Sequence, residues 1–330
     1  MKFKNTSDFN QALERQLRDG AEGNRDLIFD RTQRVAYERL FARIEKVAFL
    51  TGGQAVDKHL AASLFSGVST IDADSVIFSE IVKEMKFDKI TDPGRQHKSV
   101  LGFAREVVGT DLGDNFSYRI VESESKYFSD AEEKGLGHRF YVECDVCDTY
   151  LTKLIYDVGL ENERYRIPTQ TLPGRNLLRF AEIKNPAIQV TCPEYLIAGK
   201  ICVFTKNHAE PKFERLNDIA HAARLIQAGG LDEDRLIEGL AVLATFRNHI
   251  PHLLREPMPE PPKHWHEGFA EVAGFCNLNL DLKEAHQLVR QTVEPLFTRA
   301  YTLSLDLSQD RQPMLDFDRS SRSEGGCGER

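Results

Sequence analysis

The tightest constraint on this chain lies between residues 47 and 74. A short apolar run, Val47-Ala48-Phe49-Leu50, passes through Thr51 into the paired glycines Gly52-Gly53. A helical pattern follows, with Ala55, Val56, Leu60 and Leu64 on or near one face, and Ser69 to Phe78 then returns to strand-like sequence carrying Asp72-Ala73-Asp74. A strand that turns at glycine into a helix gathers unpaired backbone N–H groups and the positive end of the helix dipole at one point, which suits an anion. Glycine there leaves room for a triphosphate to approach the backbone. On a strand, residues i and i+2 face the same side, so Asp72 and Asp74 project together, roughly 7 Å apart at their Cα atoms. Hard oxygen ligands so placed suit Mg²⁺, which completes its shell with water and substrate phosphate. Each half alone also reads as something plainer, a glycine turn or a solvent-facing strand. The ordered combination is the more specific signal.

The rest of the chain sets the frame. Residues 6–46 predict amphipathic helices, with Leu13, Leu17, Val35, Leu40 and Ile44 at helical spacing and a break near Gly20 and Gly23. Aromatic and β-branched residues alternate with polar ones over 116–121, 139–143 and 153–158, which predicts strands. From Pro193 onward helices are expected near 193–205, 213–228, 232–247, 265–275 and 282–300, with Pro257-Met258-Pro259-Glu260-Pro261-Pro262 as a linker. There is no regular βαβ alternation and no internal repeat, so the fold class is α+β: a mixed sheet flanked by helices, with a C-terminal helical domain. The expected divisions are an N-terminal helical segment at 1–46, a core at 47–190, a helical domain at 191–305 and a disordered tail at 306–330.

Composition excludes some classes. No run approaches eighteen apolar residues, and the N-terminus lacks the apolar stretch of a secretory signal, so a cytoplasmic protein without a membrane span is expected. The formal net charge of −8 does not advertise a general nucleic-acid surface. Arg164, Arg166, Arg175 and Arg179 form a local basic candidate, with a solvated charged face as the plain alternative. Cys144 and Cys147 are the close pair among the cysteines; a structural zinc site needs two more ligands, so buried or strand thiols are the expectation. His249, His252, His264 and His266 lack supporting carboxylate or thiol spacing and read as surface or interdomain histidines.

The runs Arg39-Leu40-Phe41-Ala42-Arg43-Ile44, Phe49-Leu50-Thr51-Gly52-Gly53 and Ser69-Thr70-Ile71-Asp72-Ala73-Asp74 resemble the AbiEii abortive-infection toxin family, nucleotidyltransferase-fold members of bacterial type IV toxin–antitoxin pairs. Downstream, Pro193 to Lys200 resembles the family's helix with an essential lysine. Arg215-Leu216-Asn217-Asp218-Ile219 resembles its basic-then-aspartate motif, and Pro261-Pro262-Lys263-His264-Trp265 its C-terminal region. The similarity spans roughly residues 25–300. It implies that Gly52, Gly53 and Thr70 contact the triphosphate, that Asp72 and Asp74 bind Mg²⁺, that Lys200 neutralises phosphate charge and binds nucleotide, and that Asp218 completes the catalytic set. It further implies an NTP substrate, an RNA acceptor such as a tRNA 3′ end, and a cognate antitoxin protein. Read singly, Lys200 is also an ordinary helical lysine, and Asp218 a partner for Arg215 at i,i+3.

Nucleotidyltransferases often use a third strand carboxylate for metal or proton transfer. Asp157, an acid in the apolar run Leu154-Ile155-Tyr156-Asp157-Val158, is the candidate, and Asp145 competes with it. The family commonly has lysine where this chain has Thr51, and arginine where it has Gly67-Val68. Two other readings are a catalytically weakened nucleotide-binding or regulatory module, which those missing charges favour, and a small-molecule nucleotidyltransferase of the antibiotic-modifying kind.

Overall fold

The computed structural model describes residues 6–19, 21–60, 72–129, 136–162, 165–207, 215–247 and 250–309. In chain order the elements are α1 (Thr6–Arg18), α2 (Arg25–Ile44), β1 (Ala48–Thr51), α3 (Gly52–Leu60), β2 (Asp72–Ile77), α4 (Ser79–Glu84), α5 (Pro93–Val108), β3 (Phe116–Ile120), β4 (Lys126–Ser129), β5 (Leu136–Val146), β6 (Thr149–Leu160), β7 (Thr169–Leu172) and β8 (Ile188–Thr191). The helices α6 (Pro193–Asn207), α7 (Leu216–Ala228), α8 (Glu233–Val242), α9 (Trp265–Phe275) and α10 (Leu282–Gln309) follow.

Eight strands form one mixed sheet in the order β3-β5-β6-β2-β1-β8-β7, with β4 pairing β5 beside β3. The pairs β2–β6 and β1–β8 are parallel, and the other pairings are antiparallel. The long β5–β6 hairpin turns through Cys147 and Asp148, whose positive φ values of 48° and 61° match a tight two-residue connection. Alternation then sorts the side chains. Ala73, Ile77, Leu154, Tyr156, Val158, Phe140 and Val142 are buried on one face, while Asp72, Asp74, Ile155, Asp157, Arg139 and Tyr141 lie half-open on the other.

Helix α2 covers the buried face, and it is buried almost all round from Thr32 to Ile44. Its charged residues are consequently paired. Arg34 reaches both carboxylate oxygens of Asp57 on α3, at 3.0 and 3.3 Å, and Arg175 meets Asp57 Oδ2 at 2.7 Å. Lys58 pairs with Glu38. Arg39 Nε donates to Asp114 Oδ2 at 2.6 Å, and Arg43 Nη2 donates to Asp114 Oδ1 at 3.1 Å and to the Phe116 carbonyl at 2.6 Å. These contacts tie α2 to α3 on one side and to the start of β3 on the other.

The helical region begins one residue after β8, and α6 and α7 pack against α3. Long apolar faces of α6, α7, α8 and α10 close its core through Ile197, Ala220, Leu240, Val289 and Val293. The proline stretch is strapped down: Met258 is buried, its N–H donates to Glu294 at 2.9 Å, and His286 bonds the Pro259 carbonyl. The expected tail needs correction, since Asp306 to Gln309 continue α10, where Leu303 and Leu307 still contact the core; residues 310–330 lie outside the described residues. Helices α4 and α5 were not anticipated, although Asp92-Pro93 carries a start signal: the Asp92 side chain accepts from Arg95 N at 2.8 Å with proline at the first position. Among the described residues no helix is long and apolar enough to cross a membrane.

Burial raises the pKa of Asp114, but hydrogen bonds and charge from Arg43 and Arg39 outweigh it and hold the group below its ordinary value. A depressed carboxylate contributes stability above its unfolded pKa and loses it as pH falls through the folded one. Asp114→Asn is therefore expected to cost about 3–5 kcal/mol at pH 7, because two buried guanidinium groups lose their counter-charge. In urea titrations the gap between variant and parent should shrink as pH drops below about 4; a gap independent of pH would refute the pairing as its cause.

Candidate active site

Strand pairing assembles the acids. In the parallel β2–β6 ladder Asp74 stands opposite Asp157, with Asp72 two residues along the same face opposite Ile155. One carboxylate oxygen from each of Asp72, Asp74 and Asp157 lies within 4.8 Å of the others. Three hard, half-buried oxygen donors are a donor set that fits a divalent cation of the Mg²⁺ type. Of the two candidates for the third carboxylate, Asp157 is the one at this point; Asp145 sits at the far end of the hairpin, opposite Tyr150.

The sequence reading missed a cation in the same cluster. Arg139 on β5 is the register partner of Asp157, and its guanidinium holds both oxygens, Nε to Oδ1 at 2.8 Å and Nη2 to Oδ2 at 2.5 Å. The same Nη2 lies 3.8 Å from Asp72 Oδ2. The alternation that placed Arg139 on a strand carried its facing direction, but no sequence signal gave the register that brings it to Asp157.

Gly52 shapes the floor of the site. It has φ +62°, begins α3 directly after β1, and neighbours Thr51, which pairs with Asp74. A Cβ placed on Gly52 would lie 1.8 Å from Asp74 Oδ2 and 2.6 Å from its carboxyl carbon. Glycine is thus required twice, for the left-handed backbone and for the carboxylate resting on its α-carbon. Gly53 follows in the first turn of α3, half-exposed. Thr70 and Val68 lie outside the described residues.

Lys200 on α6 and Asp218 on α7 form an ion pair at 3.1 Å, with both side chains only 13% exposed. Arg215 lies 3.8 Å from the other Asp218 oxygen, the i,i+3 pairing that the sequence allows. Burial raises the pKa of Asp72, and the nearby Asp157 charge raises it further; Arg139 and Lys200 act in the opposite sense. The Lys200 charge is the smallest of these influences on Asp72 and reaches it from the helical region. His221, one turn beyond Asp218, is driven well below its usual pKa by burial, with the Lys200 charge acting in the same direction.

Other candidates separate. Arg175 is buried against Asp57 and Glu38, Arg166 meets Glu80 at the surface, Arg179 is exposed, and Arg164 lies outside the described residues. Arg175 is thus a core residue, not part of a basic patch. Cys144 is buried in β5, its thiol pushed up to about 12 by burial, while Cys147 begins the hairpin turn. His264 and His266 are exposed at the start of α9, and His249 lies outside the described residues.

Gly52 and Gly23 offer a matched comparison. Both have positive φ, but a Cβ on Gly23 would meet nothing within 4 Å. Gly23→Ala should cost about 1–2 kcal/mol from backbone strain alone, whereas Gly52→Ala should add roughly 1–3 kcal/mol from the collision with Asp74. Thermal denaturation of both variants checks this; equal losses would mean that the Gly52–Asp74 contact is unimportant.

No protein-family model matches this sequence. No curated protein matches it either. Among solved structures, the chain is similar to MenT4, a nucleotidyltransferase toxin from Mycobacterium tuberculosis H37Rv, with 13% sequence identity, 88% of this chain and 97% of that chain covered, and a TM-score of 0.48. A likeness at that level licenses no transfer of residue roles.

Proposed function

We propose that the chain is a Mg²⁺-dependent nucleotidyltransferase of the AbiEii type, which moves a nucleoside monophosphate from an NTP to an acceptor hydroxyl. The observation that carries this reading is the triad itself: Asp72, Asp74 and Asp157 converge within 4.8 Å beside the glycine that opens α3. Phosphoryl chemistry on a nucleotide is mainly positioning and charge stabilisation, so such a site needs carboxylates, a cation and little else. When bound, Mg²⁺ would neutralise charge on the triphosphate and polarise its phosphoryl oxygens as a Lewis acid.

The chain's own residues divide the remaining work. Asp72, Asp74 and Asp157 would hold the cation, and Asp157, as the third carboxylate, would also orient the attacking hydroxyl and take its proton. The acceptor oxygen forms a bond to the α-phosphorus as the bond to the β-phosphate oxygen breaks, and pyrophosphate leaves with that electron pair. Lys200 stabilises negative charge developing on the leaving phosphates, and Asp218 fixes the lysine by the 3.1 Å pair. Gly52 and Gly53 line the triphosphate side; Thr70, which the resemblance also assigns there, lies outside the described residues.

The acceptor in this reading is RNA, with a tRNA 3′ end as the leading case, and the protein is a cytoplasmic toxin restrained by a cognate antitoxin. The test is incubation with each labelled NTP, Mg²⁺ and total tRNA, beside Asp72→Ala and Lys200→Ala. Label should enter RNA only with the parent protein, and both variants should lose at least about a hundredfold in rate. Label entering a small aminoglycoside-type acceptor in place of RNA would move the assignment to the antibiotic-modifying class. No label in RNA, protein or small molecules would overturn transfer and favour a nucleotide-binding module.

A further inference from the structure

Arg139 stands where a metal-binding carboxylate would be expected to present its oxygens freely. Its fork takes both oxygens of Asp157 and approaches Asp72 at 3.8 Å, so one side chain spans two members of the triad. Two-point contact of this kind is the strongest pairing available to a carboxylate from a protein cation, because the planar donors match the two oxygens. A divalent cation drawing on Asp72, Asp74 and Asp157 needs an oxygen that Arg139 already engages. Both partners are only partly exposed, at 25% for Arg139 and 20% for Asp157, so water offsets little of the competition.

The surroundings explain why such an arginine is needed. Three carboxylates within 4.8 Å repel one another unless positive charge lies among them. Lys200, the other cation acting on Asp72, is committed to Asp218. Thr51, beside Asp74 in the ladder, brings no charge. Arg139 is in direct contact with two members of the triad.

We propose that Arg139 is a built-in counter-ion of the triad and that metal entry is an exchange, in which the guanidinium gives up Asp157 as the divalent cation takes it. Arg139 is a positioning residue on this account: it keeps Asp157 aimed at the centre of the cluster in the metal-free protein and sets the threshold for metal binding. The inference rests on the metal-site reading of the triad given above.

The test is Mn²⁺ binding to the full-length chain by calorimetry and by the electron paramagnetic resonance signal of free Mn²⁺, without nucleotide. Arg139→Gln removes the charge and the fork; Arg139→Lys keeps the charge but cannot hold both oxygens. Arg119→Gln, which breaks the exposed pair with Glu143 on the neighbouring strands, controls for loss of a distant charge. Exchange predicts that Mn²⁺ binds at least about tenfold more tightly to the Gln variant, more tightly to the Lys variant than to the parent, and within about twofold of the parent for Arg119→Gln. The metal-free Gln variant should also melt below the parent, and Mn²⁺ should raise its Tm by more than it raises the parent's.

A Lys variant indistinguishable from the parent would reduce Arg139 to a general field effect and overturn the exchange. Parent binding that depends on Asp74, with no tightening in either Arg139 variant, would sink this inference and leave the metal site standing. Absence of Mn²⁺ binding in the parent and every variant would overturn both.

Discussion

Everything at the open face of this sheet depends on holding three negative charges together. At an effective dielectric of about 20, two unit charges within 5 Å repel by roughly 3 kcal/mol, and the triad contains three such pairs. Folding has to supply that energy from elsewhere. The parallel β2–β6 ladder fixes Asp74 opposite Asp157 with no freedom to separate by more than a rotamer change, and Gly52 leaves the space into which Asp74 settles. Positive charge then comes from two directions: Arg139 within the sheet, and Lys200 from the helical region. Such a cluster has the donor set that the proposed metal site needs, because the repulsion relieved on binding a cation adds to affinity.

The rigidity needed for this comes from the opposite face. Helix α2 is buried over most of its length, and its arginines and glutamate are matched by Asp57, Lys58 and Asp114. Buried ion pairs of this kind add little net stability against an apolar alternative, but each strongly penalises any arrangement that parts its members. Asp57 takes Arg34 and Arg175 together, which locks α3 against both α2 and the segment after β7. Since α3 begins at Gly52, the same lock sets where the helix starts relative to Asp74. The ionic network behind the sheet and the acidic cluster in front of it are therefore mechanically joined through nine residues of α3.

This division explains what could be read from the sequence. Helix α1, the β1–Gly52 turn, the aspartates on β2, the β5–β6 strands and the five C-terminal helices were legible because each follows from local periodicity or turn chemistry. Asp157 was legible as an odd acid in an apolar strand; its place opposite Asp74 was not, since register between strands 80 residues apart leaves no local trace. Arg175, which the sequence offers as part of a basic cluster or a charged face, is buried, and its burial was illegible for a related reason. A charged side chain looks like solvent-facing surface until its partner is known, and Asp57 and Asp114 are far away in sequence. Helix α4 is only six residues long and lacks a side-chain cap, so it leaves little local signal, whereas α5 carries a start signal in Asp92-Pro93.

The same limitation bears on how missing charges should be judged. The resembled family commonly carries a lysine where this chain has Thr51, and under the proposed function that difference by itself points to a weakened site. Yet positive charge is a property of a volume, not of a motif position, and Arg139 enters that volume from a strand that no motif includes. Under the proposed exchange, the guanidinium freed from Asp157 would remain beside the cation it had made way for, held there by the β5–β6 register. A triphosphate arriving with the metal would then meet an arginine that the metal-free protein keeps occupied. The absence of lysine at Thr51 would be compatible with an active site in which the compensating cation becomes available only when the metal is bound.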